Sequence, residues 1–288
     1  MPEQQDLDPH AILGALGITG AAETTPVSGG SDTAIWRVAH GQQLYALRVF
    51  RAGQDTTYRR EIAAMRAAQA GGLPIPAIHA AGRWHDRPAL LLSWCTGEPL
   101  LGALQRQPGQ LWNLGTQFGR MQAAIHAIRP APAPELPPDD WIAWAGSDET
   151  ALQTRLRVVA AGAAQLLHLD YHPLNLMTDR RGMTAVLDWA NARVGDPRAD
   201  AARSYSILTV DPHWPRQLHI TIFRQILARA WRRGYEQATG PLGDMALFYA
   251  WAGAVMQRDL APRLASAPHN PLARVRRWTN EWKRRAGL

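Results

Sequence analysis

The stretch HLDYHPLNLMTDRRGMTAVLDWANARVGDPRAD, His168 to Asp200, holds two carboxylates in apolar surroundings, Asp170 behind a leucine and Asp188 behind Ala-Val-Leu. A carboxylate is costly to take out of water unless a cation or hydrogen-bond donors meet it, so each implies a partner. LNLMTDRRGMTAVLDW reads as a β-hairpin with apolar arms about an Asp179-Arg180-Arg181-Gly182 turn. Folding the chain there sets position 175 beside about 186 and brings Asn175 within reach of Asp188. Asp170 lies in the loop just ahead of Asn175, drawn tight by Pro173. Two hard oxygen donors on a rigid hairpin, Asn175 and Asp188, suit Mg²⁺, which takes one or two carboxylates and completes its shell with water and phosphate oxygens. A third carboxylate in the neighbouring loop, Asp170, can receive the proton of an attacking hydroxyl. Positioning, a charge-neutralising metal and a base that orients the nucleophile are the requirements of phosphoryl transfer.

These groups need a frame. From about Val27 to Phe50 the chain alternates and breaks like paired strands, with Gly29-Gly30 and His40-Gly41 as turns. DTTYRREIAAMRAAQAGG has helical spacing, with Tyr58, Ile62, Met65 and Ala68 or Gln69 on the apolar side and Gly71-Gly72 ending it. LPIPAIHAAGRWHDRPALLLSW supplies two more strands about His85-Asp86, so the first ninety-odd residues are expected to form a five-stranded sheet with one helix. Past CTGEPL the segments turn helical: QLWNLGTQFGRMQAAIHAI, then a stiff RPAPAPELPP linker, a short helix capped by Asp139 or Asp140, another over 148–161, one begun by the Asp196-Pro197 cap, and three more separated by DPHWP, GPLGD and APHNP. The expected plan is α+β, with a small sheet lobe over 1–93 and a larger, mainly helical lobe over 94–288.

His168-x-Asp170-x-x-x-x-Asn175, followed by Val186-Leu187-Asp188-Trp189 and Gly195-Asp196-Pro197, resembles the aminoglycoside phosphotransferase family of kinase-fold enzymes, relatives of choline and homoserine kinases. The resemblance implies a two-lobed protein-kinase-like fold with a five-stranded antiparallel sheet, and an ATP- and Mg²⁺-dependent transfer of phosphate to a hydroxyl of a small molecule, an antibiotic or a metabolite. Asp170 would be the catalytic base, and Asn175 and Asp188 the metal ligands. His168 would brace the loop and Asp200 would tie its backbone. In the front lobe, Arg48 of YALRVF would hold the nucleotide phosphates, itself fixed by Glu61 on the following helix, as kinases do. The Gly30 and Ser31 amides would face a phosphate. In LLLSWCTGEPL the Ser93 carbonyl and the Cys95 amide would meet the base. The family usually has a histidine where Gln122 stands.

Composition narrows the partners. The 288 residues are 46% hydrophobic and 19% charged with twelve tryptophans, a globular composition. A single cysteine, Cys95, excludes an intrachain disulfide and suits a reducing compartment. With no basic, apolar leader and no run of about 18 apolar residues, a soluble cytoplasmic protein is expected. The net charge of +7 raises nucleic acid as a partner, yet no zinc-finger spacing, RNA-recognition motif or basic zipper accompanies it, and Arg229, Arg232 and Arg233 have the spacing of a solvated helix face. The late region, where Asp211, Glu236, Asp244, Asp259 and Glu281 are outnumbered by arginines, argues against a strongly cationic acceptor. Trp141, Trp144, Trp214, Trp231, Trp251 and Trp278 are read as core more than pocket. A nucleotide-binding pseudokinase or regulatory module, and a basic nucleic-acid-binding protein, are the competing readings. The complete set Asp170, Asn175 and Asp188 weighs against the first.

Overall fold

A computed structural model describes residues 7–27, 33–138, 140–179, 181–215, 217–264 and 271–288. Gly30 and Ser31, and with them the loop expected over the nucleotide, lie outside the described residues, as do Asp139 and Arg180.

Among the described residues the first element is a short helix, α1 (Pro9–Ala15), followed by β1 (Ala22–Pro26), β2 (Thr33–His40), β3 (Gln43–Phe50), α2 (Asp55–Ala70), β4 (Ile78–Trp84) and β5 (Arg87–Ser93). The five strands form one antiparallel sheet in the order β1-β2-β3-β5-β4, so β3 is central. Strand side chains alternate between faces. Leu47 and Val49 therefore join Trp36, Val38, Ala89 and Leu91 on one face, where Ile12 and Leu13 of α1 cover them. Phe50, Leu90 and Leu92 take the other face, against Ala64, Met65 and Ala68 of α2. Arg48 shares that second face by parity. Both faces are covered, which is why β5 reads as an unbroken apolar run and not as an alternating one. The helix α1, capped by Asp8 with Pro9 in its first turn, was not among the expected elements.

Beyond Ser93 the structure becomes mainly helical, with β6 (Glu98–Pro99), α3 (Leu100–Arg106), α4 (Leu111–His126), a 3₁₀ segment (Asp140–Ala145) and α5 (Thr150–Val159). Four short strands follow, β7 (Gln165–Leu167), β8 (Leu176–Thr178), β9 (Met183–Val186) and β10 (Arg193–Gly195), and then α6 (Pro197–Thr209), α7 (Leu218–Thr239), α8 (Ala246–Leu264) and α9 (Ala273–Arg285). The helices α4 and α7 touch backbone to backbone: a methyl group on Gly119 would stand 1.9 Å from the Trp231 carbonyl oxygen, and one on Gly234 would stand 2.0 Å from that of Thr116. Trp141, Trp231 and Trp251 are fully buried, as core tryptophans should be, while Trp144, Trp214 and Trp278 are half-buried. Among the described residues no helix is long and apolar enough to cross a membrane.

Candidate active site

The hairpin foreseen between Leu174 and Trp189 is formed by β8 and β9, with Leu176 opposite Val186. Asn175 therefore faces Leu187, one position beyond the expected 186, and accepts the Leu187 amide on its carbonyl at 2.8 Å. Asp179 closes the turn, its Oδ1 accepting the Arg181 and Gly182 amides. Asn175 Nδ2 donates to the Asp170 carbonyl at 3.0 Å and lies 3.5 Å from Asp170 Oδ2. This use of its nitrogen leaves its side-chain oxygen for another partner. Asn175 thus contacts Asp170, and Asp188 follows Leu187, the backbone partner of Asn175, at the open end of the hairpin; the side chains of Asp170 and Asp188 are 27% and 40% exposed.

The loop that carries Asp170 is fixed by side chains at nearly every backbone group. Asp200, fully buried on α6, accepts the His168 amide at 2.8 Å and the Leu169 amide at 2.9 Å. Arg203 donates to the Leu169 carbonyl and Ser204 to that of Tyr171, so positions i, i+3 and i+4 of one helix face hold the loop. The His168 ring, itself buried, accepts the Asp170 amide on Nδ1 at 3.3 Å and contacts the Leu187 carbonyl through Nε2 at 2.9 Å. One neutral imidazole with its proton on Nε2 satisfies both contacts and spans the two carboxylate-bearing segments. The bracing role expected of His168 is the one it has. Leu169 and Asp188 are two of three non-glycine residues with positive φ among the described residues, at 59° and 60°. Strain of this kind persists where the surroundings over-determine it, as at ligand sites.

Arg48 enters from β3. It stands opposite Ile35 and Leu90 at the middle of the sheet, and donates to Glu61 at 2.6 Å and to Asp188 at 2.9 Å. Glu61 lies on the buried stripe of α2 with Ala64, Met65 and Ala68. Three residues after Tyr58 and four before Met65, it falls on the apolar side of the helix and is 1% exposed, with Arg48 as its partner there. Burial pushes the Glu61 carboxyl up to about 7, with Arg48 opposing and Asp188 reinforcing. Burial would raise Asp188 as well, but the Arg48 charge and hydrogen bond override it and hold this carboxyl below its ordinary value.

Ser93 and Cys95 follow the end of β5. The Ser93 and Trp94 amides are occupied by the Ala77 and Leu44 carbonyls, whereas no hydrogen bond engages the Cys95 amide among the described residues. Burial raises the half-buried Cys95 thiol to about 11, so it is not a nucleophile at neutral pH.

Two features went unread in the sequence. His172 sits with Nε2 3.7 Å from Asp170 Oδ1 and 3.3 Å from Asn175 Nδ2, and burial lowers its pKa. Its place two residues after Asp170 was the available signal. His126, one turn beyond Gln122 along α4, hydrogen-bonds Asp200 at 3.0 Å and the Tyr235 hydroxyl at 2.7 Å. Gln122 instead joins Ser204 to the Trp231 indole.

Residues 23–240 match the model of the phosphotransferase enzyme family. The chain belongs to that family. It is therefore a small-molecule phosphotransferase with the kinase-like α+β fold. No curated protein sequence matches it. Among solved structures of similar fold is aminoglycoside phosphotransferase APH(4)-Ia, 15% identical at a TM-score of 0.66 over 99% of both chains. A thermostable mutant of that enzyme, in a ternary complex with ADP and hygromycin B, is 19% identical, with a TM-score of 0.63 over 95% of this chain and 96% of its own. Spectinomycin phosphotransferase APH(9)-Ia, in complex with ADP and spectinomycin, is 12% identical, with a TM-score of 0.58 over 96% of this chain and 94% of its own.

The donor set of this family member fits a magnesium ion. Asn175 keeps its side-chain oxygen free and Asp188 is part-exposed. An aspartate and an asparagine leave room for the waters and phosphate oxygens that Mg²⁺ retains.

Proposed function

We propose that this phosphotransferase moves the γ-phosphate of ATP onto a hydroxyl of a small molecule, using Mg²⁺. The observation that carries the reading is Arg48, joined at once to Glu61 of the sheet lobe and to Asp188 beside Asp170 and Asn175. Residues 1–93 act as the nucleotide-binding lobe and 94–288 carry the catalytic loop and the acceptor site. Arg48, steadied by Glu61, takes the phosphates, and the Ser93 carbonyl and Cys95 amide take the base. Gly30 and Ser31 complete the phosphate contacts. Asn175 and Asp188 hold the metal, which when bound neutralises phosphate charge. Asp170 accepts the proton of the acceptor hydroxyl as its oxygen bonds to the γ-phosphorus, the bond from that phosphorus to the β–γ bridging oxygen breaks, and ADP leaves. The complexes of APH(4)-Ia and APH(9)-Ia with ADP support a nucleotide in the cleft. A cytoplasmic location belongs to the same proposal.

The test is ATP consumption across a panel of hydroxyl compounds, with the product identified by mass spectrometry, alongside thermal melts with and without MgATP. A nucleotide that binds only the folded chain raises the midpoint. Asp170→Asn should lower kcat by about 10²- to 10⁴-fold while keeping the MgATP-induced shift. Turnover at the parental rate would remove Asp170 as the base. A shift without turnover on any compound would favour the pseudokinase reading.

A further inference from the structure

Between α6, α7 and α9 lies a cavity of about 330 Å³, a volume at the small end of ligand pockets. Its lining includes Tyr205 and Thr209 of α6, Arg224, Arg229 and Arg232 of α7, and Arg274 of α9. Four guanidinium groups on one concave surface repel one another unless anions intervene. The acids at hand are few: Glu236 pairs with Arg232 at 2.8 Å, and Asp211 acts on Arg224 from the end of α6. Arg274 reaches the Thr209 carbonyl, and Arg229 has no ion pair among the described residues.

Arg224 marks this as a built site. It is 3% exposed, stacked over Trp214 at 5.2 Å, and bound through Nε to the Leu208 carbonyl at 2.7 Å. Its Nη2 is buried and has no acceptor among the described residues. Arg224 is among the residues that line the cavity, so its buried charge adds to the positive field there. Burial, with Arg274 adding to it and Asp211 opposing, lowers Arg224 only to about 10, so it stays charged at neutral pH.

The cavity and the catalytic loop share α6. Ser204, which binds the Tyr171 carbonyl, immediately precedes Tyr205. Asp211 acts electrostatically on both Arg224 and His172, and His172 is the neighbour of Asp170. Resting on the phosphotransfer reading above, we propose that the acceptor is an anionic hydroxyl compound, carrying a carboxylate or a phosphate that docks on Arg224, Arg229, Arg232 and Arg274. The same charges exclude polycationic acceptors.

The test has two arms on the full chain. Calorimetric titration with inorganic phosphate and, separately, malonate, at ionic strength fixed with sodium chloride and without nucleotide, should show binding. Arg229→Glu and Arg274→Gln should each weaken it about ten-fold or more. Binding of phosphate alone would assign a phosphate monoester, and of malonate, a carboxylate. In turnover, hydroxy acids or sugar phosphates should have lower KM than neutral or amino sugars of similar size, and both variants should raise that KM with kcat largely kept. Anion binding that neither variant changes overturns the proposal, as does preferred turnover of neutral or cationic compounds at a KM neither variant moves. Anion binding lost in both variants, with no ATP consumed on any compound, would keep the anion site and instead reject phosphotransfer.

Discussion

Replacing Glu61 by Gln tests the buried charge triad directly. The Glu61 carboxyl has an ordinary value of 4.5 and stands at about 7 in the folded protein, raised mainly by burial. Its folded value lies above the unfolded one, so the native state holds the proton more tightly, and the resulting stability is fully present below pH 4.5 and lost as pH rises through 7. The two values differ by about 2.5 pH units, which at about 1.4 kcal/mol per unit corresponds to roughly 3 kcal/mol. Gln keeps an oxygen for Arg48 and cannot titrate. Urea unfolding of both proteins at a series of pH values from 5 to 9, without nucleotide, should show the parent losing up to roughly 3 kcal/mol relative to Glu61→Gln as pH rises, most of it before pH 8. The Asp188 carboxyl, held low by Arg48, titrates below this window and does not blur it. A difference between the two proteins that stays constant across the range, or a parent that gains on the variant at high pH, would mean that Glu61 is ionised throughout and that Arg48 outweighs burial.

Asp200→Ala strips acceptors from the His168 and Leu169 amides and from His126 inside the core, and should cost about 3 kcal/mol or more in urea unfolding. A loss under about 1 kcal/mol would show that the loop is held by other means. Gly119→Ala drives a methyl group into the Trp231 carbonyl and should destabilise by about 1 to 3 kcal/mol, read as a lowered Tm with Asp170 chemistry surviving at low temperature.

Much of the site could be read from residue order because its parts are close in sequence. Asp170, Asn175 and Asp188 fall within one loop and one hairpin, so turn chemistry alone brings them together, and the register differed by one residue. Arg48 and Glu61 were legible by their elements: position 61 falls three residues after Tyr58 and four before Met65, on the apolar side of its helix, and the central place of β3 supplies the cation that meets a carboxylate there. The helix α1 was missed because its apolar residues answer to the outer face of a sheet that forms later in the chain. The expectation of a solvated face for Arg229, Arg232 and Arg233 was right in exposure, since all three are exposed. The arginine cavity stayed hidden, because it needs Arg274 and the end of α6 brought beside α7, and a helix's own repeat carries no record of its neighbours.

The helix α6 serves both ends of the proposed reaction. Its first turns grip the loop bearing Asp170, through Asp200, Arg203 and Ser204, and its last residues, Tyr205 and Thr209, wall the arginine cavity. From Asp200 to Thr209 a rigid α-helix rises about 13 Å, and ordinary side-chain changes do not alter that length. On the proposed reading the helix works as a ruler, setting the span between the docking group and the reactive oxygen of an admitted molecule. A family member could acquire a longer or shorter clientele by moving the arginines one turn along α7 while leaving the chemistry untouched.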